Sequence, residues 1–338
     1  TADVGALKSA QVAALTTTQV VNLTTDQVAA LTSSQLAVLS AKQISAFETQ
    51  DLVGLTTDNI ALLSSSQAQA LTKLQIANLT TDQIQNLQTE ELAALSNTQV
   101  AAMTTLQYNA LTTSQVSNLS LTQMPAIEQA DLAAFGSSQV QALLTEQLAA
   151  LNLTQVKNLT TNFITQLTTT QFSSLSKVDI ANFTASQWQK VTTNQVASLR
   201  TDQVQAINVT NLAAMGTSQV KSFTTDQVVA LTGQQVGTLT TDQVAKLGTD
   251  QILAIETADI SWLKPDQLNS LSTSQVVAMS TDQVVALTTD QVSNLTTAQL
   301  AGMTLKQVAA METVDVQAVT TAQLVAMTTA QIAVMTTD

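Results

Sequence analysis

Four pairs of carboxylates offer the most obvious chemistry in the chain: Glu48 with Asp51, Glu128 with Asp131, Glu256 with Asp259, and Glu312 with Asp315. Each pair is spaced i, i+3, which on a helix puts both side chains on one face. Two carboxylates near a helix start, with backbone carbonyls beside them, could bind calcium, which takes about six to eight oxygens. As the acid and base of a glycosidase the pairs are weaker candidates, because no cleft-forming insertion accompanies any of them. Two plainer readings compete: an alternative helix cap, or a place where a superhelix meets itself and wants a different side chain.

Other chemistry is removed by composition. The 338 residues include no Cys and no His, so thiolate nucleophiles, disulfides, the usual general base and the commonest zinc ligands are absent. No polar constellation interrupts the chain at one place, and the expectation is that it is not an enzyme. A net charge of −13 repels both a phosphate backbone and an anionic lipid surface, so nucleic acid is not an expected partner. No apolar run approaches the ~20 residues that span a bilayer, and the N-terminus lacks the order of a signal peptide. Membrane insertion is not expected.

The elements that position these residues follow from a period of eight. Rows of eight from Leu7 put Leu7, Leu15, Leu23, Leu31, Leu39, Phe47 and Leu55 in one apolar column, which continues without insertion to Met335. A second column runs through Val12, Val20, Val28, Leu36 and Ile44, then Trp188, to Ile332. Such internal repetition decides the architecture before any domain argument does.

In a row such as Leu23-Thr24-Thr25-Asp26-Gln27-Val28, a Thr stands three residues before a Gln, flanked by the two apolar columns. That is a capping box with a hydrophobic staple. Thr24 is N-cap, Gln27 is N3, Leu23 packs on Val28, and Asp26 sits at N2, where the helix dipole favours a carboxylate. Pro265 falls at N1, the helical position that tolerates proline best, which supports the register. Each row therefore starts a helix of about five to seven residues.

Helices this short cannot stand alone, since burying one Leu and one Val does not offset ordering eight residues of backbone. The rows must stack. A single long helix would let the columns wander around it, and a β-solenoid conflicts with the clustered apolar residues of Gln-Val-Ala-Ala-Leu. The predicted fold is all-α: a solenoid or superhelix of very short capped helices, one per eight-residue repeat. Residues 1–338 read as one continuous array with no internal domain boundary, a slice of a longer array.

Several positions depart from the pattern. The rows of Glu48, Glu128 and Asn208 (with Asn211) are 80 residues apart and the later carboxylate rows 48 and 56, so a superhelical turn of about five octads fits only loosely. Asn at column eight, as in Asn22, Asn78, Asn118, Asn158 and Asn294, is read as a left-handed helix C-terminal residue. Pro125 should shorten or bend its helix. Trp188 and Phe172 fill core, whereas Trp262, in the usually small column eight, is the candidate contact surface. The paired Thr residues would form an outward hydroxyl lattice, as ice- or mineral-binding surfaces do, but one of each pair is committed to the cap.

Leu-Thr-Thr-Asp-Gln-Val-Ala-Ala rows of this style resemble the Thr/Gln-rich octad arrays of very large secreted or surface-displayed bacterial proteins, adhesin-like ones among them. The resemblance covers nearly the whole chain, although the Gly- and Asp-rich nonapeptides of calcium-binding toxin repeats are missing. It implies a stalk, spacer or matrix element in an extracellular or cell-surface location. A self-assembling filament or surface-layer element, contacting itself or other surface proteins, and a protein- or ligand-binding solenoid module are the alternatives. The first and last rows are partial and uncapped, with Asp3 and Val4 in columns five and six.

Overall fold

A computed structural model describes residues 2–335; the side chain of Asp3 and the partial row at 336–338 lie outside the described residues. Among the described residues there is no strand, and the elements are short helices of three to six residues in unbroken succession. None is long and apolar enough to cross a membrane. The chain divides into two compact units, Thr1–Ser174 and Leu175–Asp338.

One row shows how an octad folds. Thr80 is extended (φ −67°, ψ 160°), its hydroxyl caps the helix Thr81–Asn86, and Leu87 is extended again (φ −60°, ψ 133°). Two extended residues, the column-one Leu and the N-cap, thus join consecutive helices. The turning needs no left-handed residue: among the described residues none has positive φ. The left-handed expectation for column-eight Asn is therefore corrected. Asn22 has φ −89°, and instead of leaving the helix such residues bond back to it, Asn78 Nδ2 donating to Leu74 O at 2.8 Å and Asn158 Nδ2 to Thr154 O at 2.8 Å. The short amide satisfies a C-terminal carbonyl that a left-handed glycine would otherwise leave to the following backbone.

Within each unit the helices wind into a superhelix whose turns stack, helix after helix packing on one three octads away, as Ser65–Ala70 does on Thr89–Ala94 and Lys177–Asn182 on Thr201–Ala206. Contacts between turns join residues 25 to 31 apart, as in Gly54 against Thr25, Asn109 with Ala134, and Gln99 with Ala68 and Leu71. A turn therefore takes about 28 residues, some three and a half octads, not the loosely fitting five. Columns one, five and six face inward and the rest face out. Trp188, Tyr108 and Phe172 are fully buried in column six. Column six is buried from Val12 to Val308, but Leu324 and Ile332 are exposed and Leu7, Leu15 and Leu23 only half-buried, because the outermost turns are covered on one side.

Two rows depart from the α-helix. Pro125 lies in a 3₁₀ turn, Met124–Ala126, as its missing N–H requires. The row of Asp259 forms a second 3₁₀ helix, Thr257–Trp262. Pro265 occupies the first position of Pro265–Asn269, as predicted.

Candidate functional site

The recurring polar feature is the column-five Gln, which is buried against the preceding turn in row after row. Its two ends do different work. In the row of Gln115, Oε1 accepts the Thr112 N–H at 2.9 Å, the reciprocal half of the capping box. Nε2 reaches across to the previous turn and donates to Ile84 O at 2.7 Å and Leu87 O at 2.8 Å. One acceptor is the end of the helix 31 residues back; the other is the linker carbonyl 28 residues back. A single side chain thus satisfies an orphan donor of its own helix and orphan acceptors of another.

The same tie recurs in both units: Gln43 to Leu15 O at 2.8 Å, Gln171 to Val140 O and Leu143 O at 2.9 and 2.7 Å, and Gln243 to Leu212 O and Met215 O at 3.0 and 2.8 Å. The Gln half of the box persists where the Thr is gone, with the N–H groups of Gly136, Leu144 and Arg200 bound at 2.9, 2.7 and 2.8 Å. Sequence reasoning found the capping role of this Gln but missed the tie between turns. A buried amide facing a buried column was the available signal, since Nε2 has no partner within its own helix and cannot be left unpaired there.

The carboxylate rows fall in this seam. Glu48, Glu128, Glu256 and Glu312 are exposed at N-caps, and none makes a side-chain cap bond. Asp51, Asp131 and Asp315 are buried in the Gln slot, and Asp259 is half-buried there. Asp51 Oδ1 accepts from Thr25 Oγ1 at 2.6 Å and Asp131 Oδ1 from Thr105 Oγ1 at 2.7 Å, both donors lying 26 residues back on the preceding turn. The backbone N–H of Gly233 plays that part for Asp259. These are inter-turn contacts, the place where the superhelix meets itself. Among the described residues no three acidic side chains come together.

Burial raises the Asp131 carboxyl above the ordinary range, with the Thr105 hydrogen bond opposing and Glu128 adding to the rise. Burial also raises Asp259 and Asp315, each assisted by the Glu at its own N-cap. Tyr108 stands beside Asp131, and its hydroxyl donates to Val100 O at 2.8 Å, the carbonyl a Gln at position 131 would have served. Its phenol is strongly raised by burial first, then by Asp131 and Glu128.

Further occupants of the slot escaped sequence reasoning, Asp179 among them, which bonds the Ser176 N–H at 3.0 Å. Asn59 keeps one of the two ties, its Nδ2 donating to Leu31 O at 2.9 Å. Phe163 fills the slot with an apolar side chain. Glu91 is buried with Oε2 lacking a partner. Trp262 is 55% exposed, as its column suggested, and its ring packs against Gly233, where a Cβ would collide with it. Gly237 admits its backbone, since a Cβ there would stand 2.7 Å from Trp262 O. Trp188 and Phe172 fill core.

Short capped helices, one per octad, with turns tied by a buried amide, define an α-solenoid repeat protein. The ALTTAQ repeat matches residues 1–33, 44–81, 82–121, 124–161, 196–233, 206–241, 252–289 and 308–338, more than half of the chain, and the chain belongs to that repeat family. No curated protein matches it.

Proposed function

We propose that the chain is a structural repeat scaffold, the stalk, spacer or matrix element of a bacterial cell-surface or extracellular protein, with no catalytic activity of its own. The observation that carries this reading is the Gln tie. The most heavily specified interaction in the molecule joins one turn to the next, and it is spent on holding the array together. Outward columns three, four, seven and eight vary among Thr, Ser, Asp, Ala, Asn, Lys, Val and Leu, with no single residue type held from row to row. The surface location rests on the likeness of these rows to surface-displayed octad arrays.

Antibodies raised against the purified chain test the location. They should label intact cells, and external protease should abolish the label; labelling only after lysis would overturn it. The spacer role predicts that removing seven consecutive octads, two full turns, leaves helicity and cooperative melting intact. A four-residue deletion, which breaks the phase, should not. Trp262 favours a second reading as a binding module: a half-exposed indole held against Gly233 is the kind of aromatic anchor that interfaces use.

A further inference from the structure

We propose that the octads of Asp131, Asp259 and Asp315 are acid-tightened joints, in which a proton taken up by the aspartate supplies the inter-turn tie that the amide supplies elsewhere. The argument starts from Asn59, a side chain of the same length in the same slot. Its Oδ1 accepts from Ser33 Oγ, 26 residues back, at 3.3 Å, while its Nδ2 donates to Leu31 O, 28 residues back, at 2.9 Å. Asn211 repeats the second bond, with Phe183 O at 2.6 Å. A four-atom side chain in this slot therefore reaches the linker carbonyl of the preceding turn.

Asp131 adopts half of that arrangement. Its Oδ1 accepts from Thr105, 26 residues back, at 2.7 Å. By the same register its Oδ2 takes the place of the Asn amide, over Met103 O, which receives no hydrogen bond among the described residues. An ionised carboxylate offers that carbonyl only a second lone pair, so two acceptors confront each other where rows such as those of Gln99 and Gln107 have a donor. A proton on Oδ2 turns the clash into an O–H donated to Met103 O and leaves the Thr105 bond unchanged. In the rows of Asp259 and Asp315 the corresponding carbonyls are Leu231 O and Leu287 O, which likewise receive no bond.

The surroundings hold the charge back. Around Asp131 stand Glu128 on its own row and Tyr108 on the preceding turn, and the following turn contributes exposed Lys157 on Leu153–Asn158. Around Asp259 stand Glu256 on its own row and exposed Asp282 on Thr281–Val285; the preceding helix Gly233–Thr238 carries no titratable group. Asp315 has Glu312 on its own row and exposed Asp290 on Thr289–Asn294. Burial first, and then the Glu of the same row, raises all three carboxyls, opposed at Asp131 by the Thr105 bond and at Asp259 by the Gly233 N–H. A folded-state rise means the folded chain binds more protons than the unfolded one. Its contribution is therefore complete below the unfolded carboxylate value of ~3.9 and is lost as pH rises through the folded value.

The test is urea unfolding of the full chain and of its Asp131→Asn, Asp259→Asn, Asp315→Asn triple variant. At neutral pH the variant should unfold at a higher midpoint, because its amides donate without a proton. About one unit below the ordinary carboxylate value of ~3.9 the two midpoints should coincide. A gap that is the same at both pH values, or a variant less stable than the parent at neutral pH, would overturn the proposal. A triple variant with Ala at the same positions should lose the pH dependence without gaining the higher midpoint; if it matched the Asn variant, the tie would be refuted.

Discussion

Replacing Gln115 by Ala tests how the turns are held. The substitution removes the bond to Thr112 N–H at 2.9 Å and those to Ile84 O at 2.7 Å and Leu87 O at 2.8 Å. Ile84 O keeps the Leu87 N–H at 3.3 Å, but Leu87 O is left as a buried acceptor with no donor. An orphaned acceptor costs about 1–3 kcal/mol, each of the other two bonds about 1, and the emptied side-chain volume about 1 more. The expected loss is therefore about 4–6 kcal/mol. Thr112→Ala removes only the cap and should cost about 1 kcal/mol. Urea unfolding of the full chain reads the total, and amide exchange at Thr112 and Val116 reads the local opening. Gln115→Met, which keeps the volume without the hydrogen bonds, should retain most of the loss. The reasoning fails if Gln115→Ala proves no more damaging than Thr112→Ala, or if Gln115→Met behaves as the parent.

Other substitutions probe particular rows. Gly233→Ala should push Trp262 off its helix, raising the solvent exposure of its fluorescence in a Trp188→Phe background and destabilising by about 1–3 kcal/mol; an unchanged spectrum would deny the contact. Trp188→Ala, at a fully buried position, should cost about 3–5 kcal/mol by thermal or urea unfolding. Tyr108 is the chain's single tyrosine, so its ionisation can be followed alone by ultraviolet absorbance. Because its folded-state pKa is raised, stability should fall as pH climbs past the unfolded value of ~10. The phenolate signal should then appear together with unfolding, and ionisation in the intact fold would contradict the burial argument.

The column arithmetic carried the fold because strict spacing reports local geometry. Thr24 and Gln27 cap each other as their spacing demands, with bonds of 2.9 and 3.3 Å. The turn length was not legible, since it depends on where the Gln amide finds its acceptors 28 and 31 residues away, and no local pattern names that distance. The carboxylate rows illustrate the limit. Asp51 and Asp131 were visible as breaks, but Thr25 and Thr105 look like every other Thr until the fold brings them to the seam. Trp262 was legible as an oddity in a small column, whereas its partners Gly233 and Gly237 passed unremarked because the match spans a turn.

Cross-linking across one turn tests the central claim most directly, and the absence of cysteine makes it clean. Thr25→Cys with Asp51→Cys places two thiols where Thr25 Oγ1 and Asp51 Oδ1 lie 2.6 Å apart. A short bifunctional thiol reagent should link that pair within one molecule while helicity is unchanged. Thr25→Cys with Ser65→Cys, the spacing of a five-octad turn, should stay unlinked. Linking of the second pair and not the first would contradict the three-and-a-half-octad turn and the Gln tie built on it.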